Sequence, residues 1–340
     1  MNSLIAPVVA LLFATLAWGS LFLVGKPLLA SLDPVWFTTV RYALATLLLA
    51  ALVQRFGHQP WLKLRRHGLR LTLLGLAGYG CFSILVFWGL ARSLPSHGSV
   101  IMATMPFTTL LLRWALDGQR PSAAALAGAG VALLGVAVVA NVFGGAGAAH
   151  DADATMLLGD LVTLAGTLGW VLYTRGAASL PDHSPLEYTA LTAVAATPWL
   201  VLGATIATLL GAVPAPGSDT LAALWPPLLY IAAVPTVLAA LAFNFGVRRL
   251  GPAAGTLFLN MVPVSVLAVH ALQGQAPSAA ELCGAALVAL ALGFNAWSGR
   301  RAASAGAGAP GQQPGAGGHR AVAVGAAQCP HRFTRLQDEA

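Results

Sequence analysis

The chain has 340 residues, of which 57% are hydrophobic and only 9% charged, and its net charge is +7. A soluble protein carries roughly 25% charged residues, so this chain cannot clothe a water-facing surface and its composition places it in lipid. The basic residues lie in short clusters between apolar runs, with no base-reading or phosphate-tracking motif, which excludes nucleic acid as a partner.

The first apolar run extends from about Leu4 to Val24. Met1, Asn2 and Ser3 supply no basic n-region, so this run reads as a membrane helix and not as a cleaved signal peptide. Span 1 is predicted at about 4–25 and span 2 at 34–53. A basic stretch from Gln54 to Arg70 separates span 2 from span 3 (71–91). Span 4 (97–116) and span 5 (122–142) follow, then a Gly/Ala loop with Asp151 and Asp153. Spans 6 to 10 are predicted at 156–175, 186–208, 221–246, 253–272 and 278–298. From Gly299 the chain is rich in Gly, Ala and Pro, without apolar periodicity, and is expected to be disordered. Unpaired backbone amides are too costly in hydrocarbon, so each span must be a helix. Strand-like alternation is absent, which excludes a barrel. The expected class is an all-α polytopic membrane protein of ten transmembrane helices. Its organisation is a first five-helix repeat at 1–142, an external loop at 143–155, a second repeat at 156–298 and a cytoplasmic tail at 299–340.

Lys and Arg set the orientation. Even-numbered gaps hold Arg55, Lys63, Arg65, Arg66, Arg70, Arg120, Arg175, Arg248 and Arg249, and the C-terminal segment adds Arg300 and Arg301. Odd-numbered gaps hold Lys26 and Arg92 beside Asp33, Asp151, Asp153 and Asp219. With ten spans, both termini are expected in the cytoplasm, in a multi-pass protein of the inner (plasma) membrane.

The two halves repeat. The frame A-L-x-G-Q-x-P-S-A-A-x-L-x-G begins at Ala115 and again at Ala271, with Pro121 and Pro277 in register 156 residues apart. Upstream, Gly89, Arg92, Pro95, Gly98 and Pro106 match Gly246, Arg249, Pro252, Gly255 and Pro263, while Trp18 and Pro34 align with Trp170 and Pro185. Each half has an odd number of spans, so the second enters the membrane from the opposite side. Inverted repeats are a common architecture of secondary transporters.

With these residues in view, the chain resembles the EamA-type branch of the drug/metabolite transporter superfamily over about residues 4–298. The resemblance rests on Trp18-Gly19-Ser20 followed by Lys26, on Arg41 in span 2, and on Pro106 and Pro263 within spans 4 and 9. It implies ten helices, cytoplasmic termini and export of small metabolites or drugs through a cavity between spans 1–4 and 6–9. The chain departs from the family at Gln119 and Gln275, where a Glu is usual, and at Val262, where an acid often precedes the proline.

Arg41 is the most informative residue, about 10 Å along span 2 from Pro34. It either faces a cavity and attracts an anionic substrate group, or snorkels to the headgroups. Trp18, Ser20, Tyr79, Trp170, Tyr173, Tyr188, Asn244 and Asn260 are candidate cavity-lining residues, with ordinary interhelical bonding and interfacial anchoring as alternatives. Pro106 and Pro263 are candidate hinges or static kinks. Small-residue faces in spans 5 and 10 suit helix packing or a homodimer. Asp160, Glu187, His97 and His270 are the protonatable groups near the membrane. The two acids read as helix N-caps, with proton coupling as the alternative. No metal-ligand spacing, Walker-type loop or nucleophile elbow occurs, so no cofactor and no catalytic residue is expected. The expected function is secondary transport of an amino-acid-like compound or drug by alternating access. The alternatives are an uncoupled facilitator or exchanger, and a non-transporting scaffold.

Overall fold

The structure, a computed structural model, describes residues 2–118, 120–139, 150–250, 258, 261–274 and 276–307. Every regular element among them is helical. In chain order these are α1 (Asn2–Leu28), α2 (Pro34–Phe56), α3 (Pro60–Gly75), a π-helical turn (Leu76–Cys81), α4 (Phe82–Arg92), α5 (Pro95–Ala103), α6 (Met105–Asp117) and α7 (Ala123–Val139). The order is repeated by α8 (His150–Ala177), α9 (Pro185–Leu209), α10 (Ser218–Ile231), a second π-helical turn (Ala232–Leu238), α11 (Ala239–Leu250), α12 (Met261–Leu272) and α13 (Ala279–Ala307). Residues 1–299 form one compact unit, the body described below; of the second unit, 300–340, residues 300–307 are described, as helix.

Six helical stretches among the described residues are long and apolar enough to cross a membrane, or seven if α5 and α6 count as one span. The chain is thus an all-helical, multi-pass membrane protein. The remaining expected spans fall on shorter apolar helices, Ala123–Val139 and Ala279–Ala291, and on α12, which follows residues outside the description. Several boundaries differ from the sequence reading. The basic stretch after span 2 is already helical from Pro60, so α3, the π turn and α4 form one 33-residue helix. Proline at the first turn starts it at no hydrogen-bond cost, and Trp61, Leu62, Leu69 and Leu73 alternate with cations at helical spacing. α8 begins at His150, inside the expected external loop, and α13 runs to Ala307, nine residues into the expected tail.

Local chemistry explains the helix starts in both halves. Asp33 accepts a hydrogen bond from the Val35 amide at 2.8 Å ahead of Pro34, and Ser184 forms a reciprocal capping box with Glu187 ahead of Pro185. The two π turns begin 156 residues apart, at Leu76 and Ala232, which is the sequence repeat seen as geometry. In the second turn Pro235 has no N–H to offer the Ile231 carbonyl, which instead accepts the Thr236 hydroxyl at 2.8 Å.

The halves pack reciprocally. α1 lies against α11, α8 against α4, and α2 against α9. On α2 and α9, Trp36 bonds Thr208 and Thr46 bonds Thr197, and just past α2 the His58 amide bonds Glu187, so the two helices run antiparallel. Trp18 reaches Pro235 while Gly246 abuts Leu11, so α1 and α11 also run antiparallel. α4 and α8 do the same, with Gly89 against the Gly159 carbonyl and Gly169 against the Ala77 carbonyl. α7 and α13 touch through their glycines: a Cβ on Gly135 would lie 2.8 Å from the Gly284 carbonyl. These small-residue faces are therefore occupied by each other within one chain.

Candidate functional site

The polar centre is built on α2 and the first π turn. Arg41 is 3% exposed, so the snorkelling alternative fails: its side chain is buried in protein. Nη2 donates to Ser83 Oγ at 2.8 Å, and Nη1 makes a long 3.5 Å contact with Thr236 Oγ1 of the second π turn. The guanidinium carbon sits 4.4 Å from the Tyr42 ring centroid and 4.9 Å from that of Phe87. Nε is buried without a partner. Among the described residues no carboxylate pairs with Arg41. A guanidinium has five N–H donors, so much of its capacity is unspent in a place where an uncompensated charge costs several kcal/mol. A planar anion fits that vacant capacity.

An aromatic ladder continues from Arg41. Tyr42 packs on Tyr79 with centroids 4.6 Å apart, Tyr79 on Tyr173 at 5.1 Å, and Tyr173 on Tyr188 at 4.9 Å and Trp170 at 5.2 Å. The Tyr79 hydroxyl lies 2.7 Å from that of Tyr173 and 3.0 Å from that of Thr192. Gly78 makes this geometry feasible: a Cβ there would stand 2.6 Å from the Tyr173 ring. The two halves therefore meet at a buried surface with one cationic end and one phenolic end.

An ion pair between the halves flanks this centre. Lys63 on α3 contacts both oxygens of Glu187 at 2.8 Å, and the Ser184 and His58 amides bond the same carboxylate. Glu187 is thus both the helix cap expected from sequence and an ion-pair partner. His183 lies nearby, edge-on to His67, with neither ring nitrogen hydrogen-bonded. Burial first, then the positive charges of Lys63 and His67, push its imidazole below the ordinary value, against the opposing pull of Glu187 and Asp182. Elsewhere, Asp160 does not cap a helix. It is eleven residues into α8, buried, and paired with His97 at 2.8 Å. Lys26 donates to the carbonyls of Leu90, Ala91 and Ser93 at 2.6–2.9 Å, satisfying the C-terminal end of α4.

The structure thus brings five sequence candidates together: Arg41, Tyr79, Tyr173, Trp170 and Tyr188. Trp18 lies apart, donating to the Pro235 carbonyl at 3.0 Å and packing on Phe243. Ser20 bonds the Tyr230 hydroxyl at 2.8 Å in an exposed position, and Asn244 is half-buried on α11. Asn260 falls outside the described residues. Pro106 follows a 46° break between α5 and α6 centred on Thr104. Pro263 is buried at the third residue of α12. Sequence reasoning passed over Ser83, Tyr42 and Thr236. Tyr42 adjoins Arg41, and a lone Ser in an apolar run was the available sign for Ser83.

Paired multi-span halves around a buried cation define a membrane protein built by duplication. The EamA-like transporter family profile matches residues 5–141 and 157–297, and the chain belongs to that family. It is 26% identical over 292 residues to the uncharacterized transporter YrdR of Bacillus subtilis (strain 168), covering 84% of this chain and 89% of that protein. It is also 26% identical over 218 residues to a probable terminal-alkyne amino-acid exporter of Streptantibioticus cattleyicolor, covering 64% of this chain and 69% of that protein. A solved crystal structure of a protein 19% identical in sequence shares the fold, with a TM-score of 0.59 over 87% of this chain and 98% of the other.

Proposed function

We propose that the protein exports a small amino-acid-like metabolite or drug across the inner membrane, with Arg41 binding the substrate's carboxylate. The observation that carries this reading is the buried guanidinium with an unpartnered Nε and no carboxylate partner among the described residues. The name of the Streptantibioticus relative supports an amino-acid-like substrate. Transport proceeds by alternating access of two inverted five-helix halves, ten spans in all, with both termini cytoplasmic. The antiparallel pairing of α1 with α11, α4 with α8 and α2 with α9 supports the inversion, as do π turns 156 residues apart. Pro106 and Pro263 are the proposed hinge points.

When the halves part, the substrate places its carboxylate on the Arg41 guanidinium and its amino group near the phenolic and threonine oxygens. Ser83 and the rings of Tyr42 and Phe87 hold the guanidinium in place. The test is efflux from proteoliposomes loaded with a panel of amino acids and their amides, with and without a pH gradient. Export of the acids and rejection of the amides is expected. Equal handling of acids and amides overturns the role of Arg41, and no export of any compound overturns the function.

A further inference from the structure

One buried polar cluster plays no part in the central site. His97 on α5 and Asp160 on α8 have side chains only 5% and 3% exposed, with Nδ1 2.8 Å from Oδ2. Ser93 donates its hydroxyl to the other Asp160 oxygen and lies 3.3 Å from His97 Nδ1. α5 belongs to the first half and α8 to the second, so the pair ties the halves together at the end where α4 terminates. Asp160 lies six residues, about 9 Å, into the span Ala154–Ala177.

The neighbouring charges come from α1, α4 and α13. Lys26 from α1 is joined to it through the Ser93 carbonyl, at 2.7 Å. Glu281 from α13 accepts from Ser96, the residue before His97. Arg92 from α4 stands at the exposed rim over the Trp88 ring and, with Asp33, lines an open cleft at this end. His97 is the basic side chain in direct contact with the Asp160 carboxylate. A proton on His97 places a positive charge against that carboxylate at 2.8 Å. Burying an uncompensated carboxylate is costly, whereas an imidazolium–carboxylate pair with its hydrogen bonds made is not. Closing the halves over this cluster therefore depends on the charge of His97, and histidine is the side chain that ordinarily changes charge between about pH 5 and 8.

We propose that His97 and Asp160 form a proton-binding latch whose occupancy holds the two halves together at this end. A proton passes from bulk water to the imidazole when the halves part, and the resulting ion pair closes them. Release returns the proton to the same water. In the proposed topology this end faces outside, so external protons drive the emptied transporter closed. The side depends on that topology, but the latch itself does not.

Hydrogen exchange of the full-length protein in nanodiscs, at about pH 6 and pH 8.5 and corrected for intrinsic exchange, tests this without any substrate. Opening of residues 93–103 and 156–165 is expected to rise at least about tenfold at the higher pH. His97→Gln keeps a hydrogen-bond donor to Asp160 but does not titrate, and its exchange is expected to be the same at both pH values. Equal opening of the wild type at both values overturns the proposal, and so does a His97→Gln variant that keeps the wild-type pH difference. The wild-type comparison decides alone if the variant does not fold. Failure of transport in the proteoliposome panel leaves this result untouched, so the two readings fail separately.

Discussion

Arg41→Met separates the functional from the structural role of the buried cation, because the two predict opposite outcomes. The substitution removes one charged hydrogen bond to Ser83, worth about 1.5–3 kcal/mol. It also removes cation–π contacts with Tyr42 and Phe87, each worth up to about 2 kcal/mol when desolvated. Against this, it abolishes the desolvation cost of a charge without a counter-ion, which is several kcal/mol, and the unmade bond at Nε, about 1–3 kcal/mol. The terms nearly cancel, so thermal stability in detergent is expected to stay within about 2 kcal/mol of wild type. Transport has no such compensation. A carboxylate deprived of its buried partner loses about 2–5 kcal/mol, or roughly thirty-fold to a few thousand-fold in apparent affinity. Arg41→Lys keeps the charge without the fork and should fall between. The checks are thermal unfolding and concentration-dependent efflux on the same preparations. An Arg41→Met protein that unfolds far below wild type yet transports normally would falsify the anchoring role.

Three further outcomes follow from named contacts. Glu187→Gln weakens a buried cross-half pair with Lys63 and should lower stability by about 3–5 kcal/mol, read as a lower unfolding midpoint; an unchanged midpoint contradicts the structural weight given to that pair. Gly78→Ala drives a Cβ into the Tyr173 ring and should cost about 1–3 kcal/mol and impair transport, whereas Gly203→Ala, with nothing within 4 Å, should be close to neutral. If both behave alike, the close approach is not what the glycine serves. His183 has its folded value held below the ordinary value of about 6.5, so its stabilising contribution is complete above that pH and is lost as pH falls through the folded value. His183→Phe orphans no partner and should make the unfolding midpoint less sensitive to acidification between about pH 7 and 5; parallel profiles for the two proteins count against it.

The sequence by itself determined that this chain lives in lipid and is helical, because an apolar run of about twenty residues has no other way to satisfy its backbone there. It also showed the duplication, since Pro121 and Pro277 with their surrounding frame survive as identities. Arg41 was legible because an Arg inside an apolar run is conspicuous and costly. What composition could not supply was the direction in which that cost is relieved. Ser83 and Thr236 are unremarkable in one dimension, and they reach Arg41 because each follows or lies within a π turn that rotates the helix face. Helix periodicity assumes 3.6 residues per turn, and an inserted residue defeats it. The same limit governed Asp160. In the sequence it stood near the start of a hydrophobic run and read as a cap, but α8 begins ten residues earlier and carries it inward to His97. Caps depend on a few neighbouring residues and can be read locally. A hydrogen-bonded pair between spans separated by 63 residues is decided by how two helices pack, and tertiary structure alone reports that.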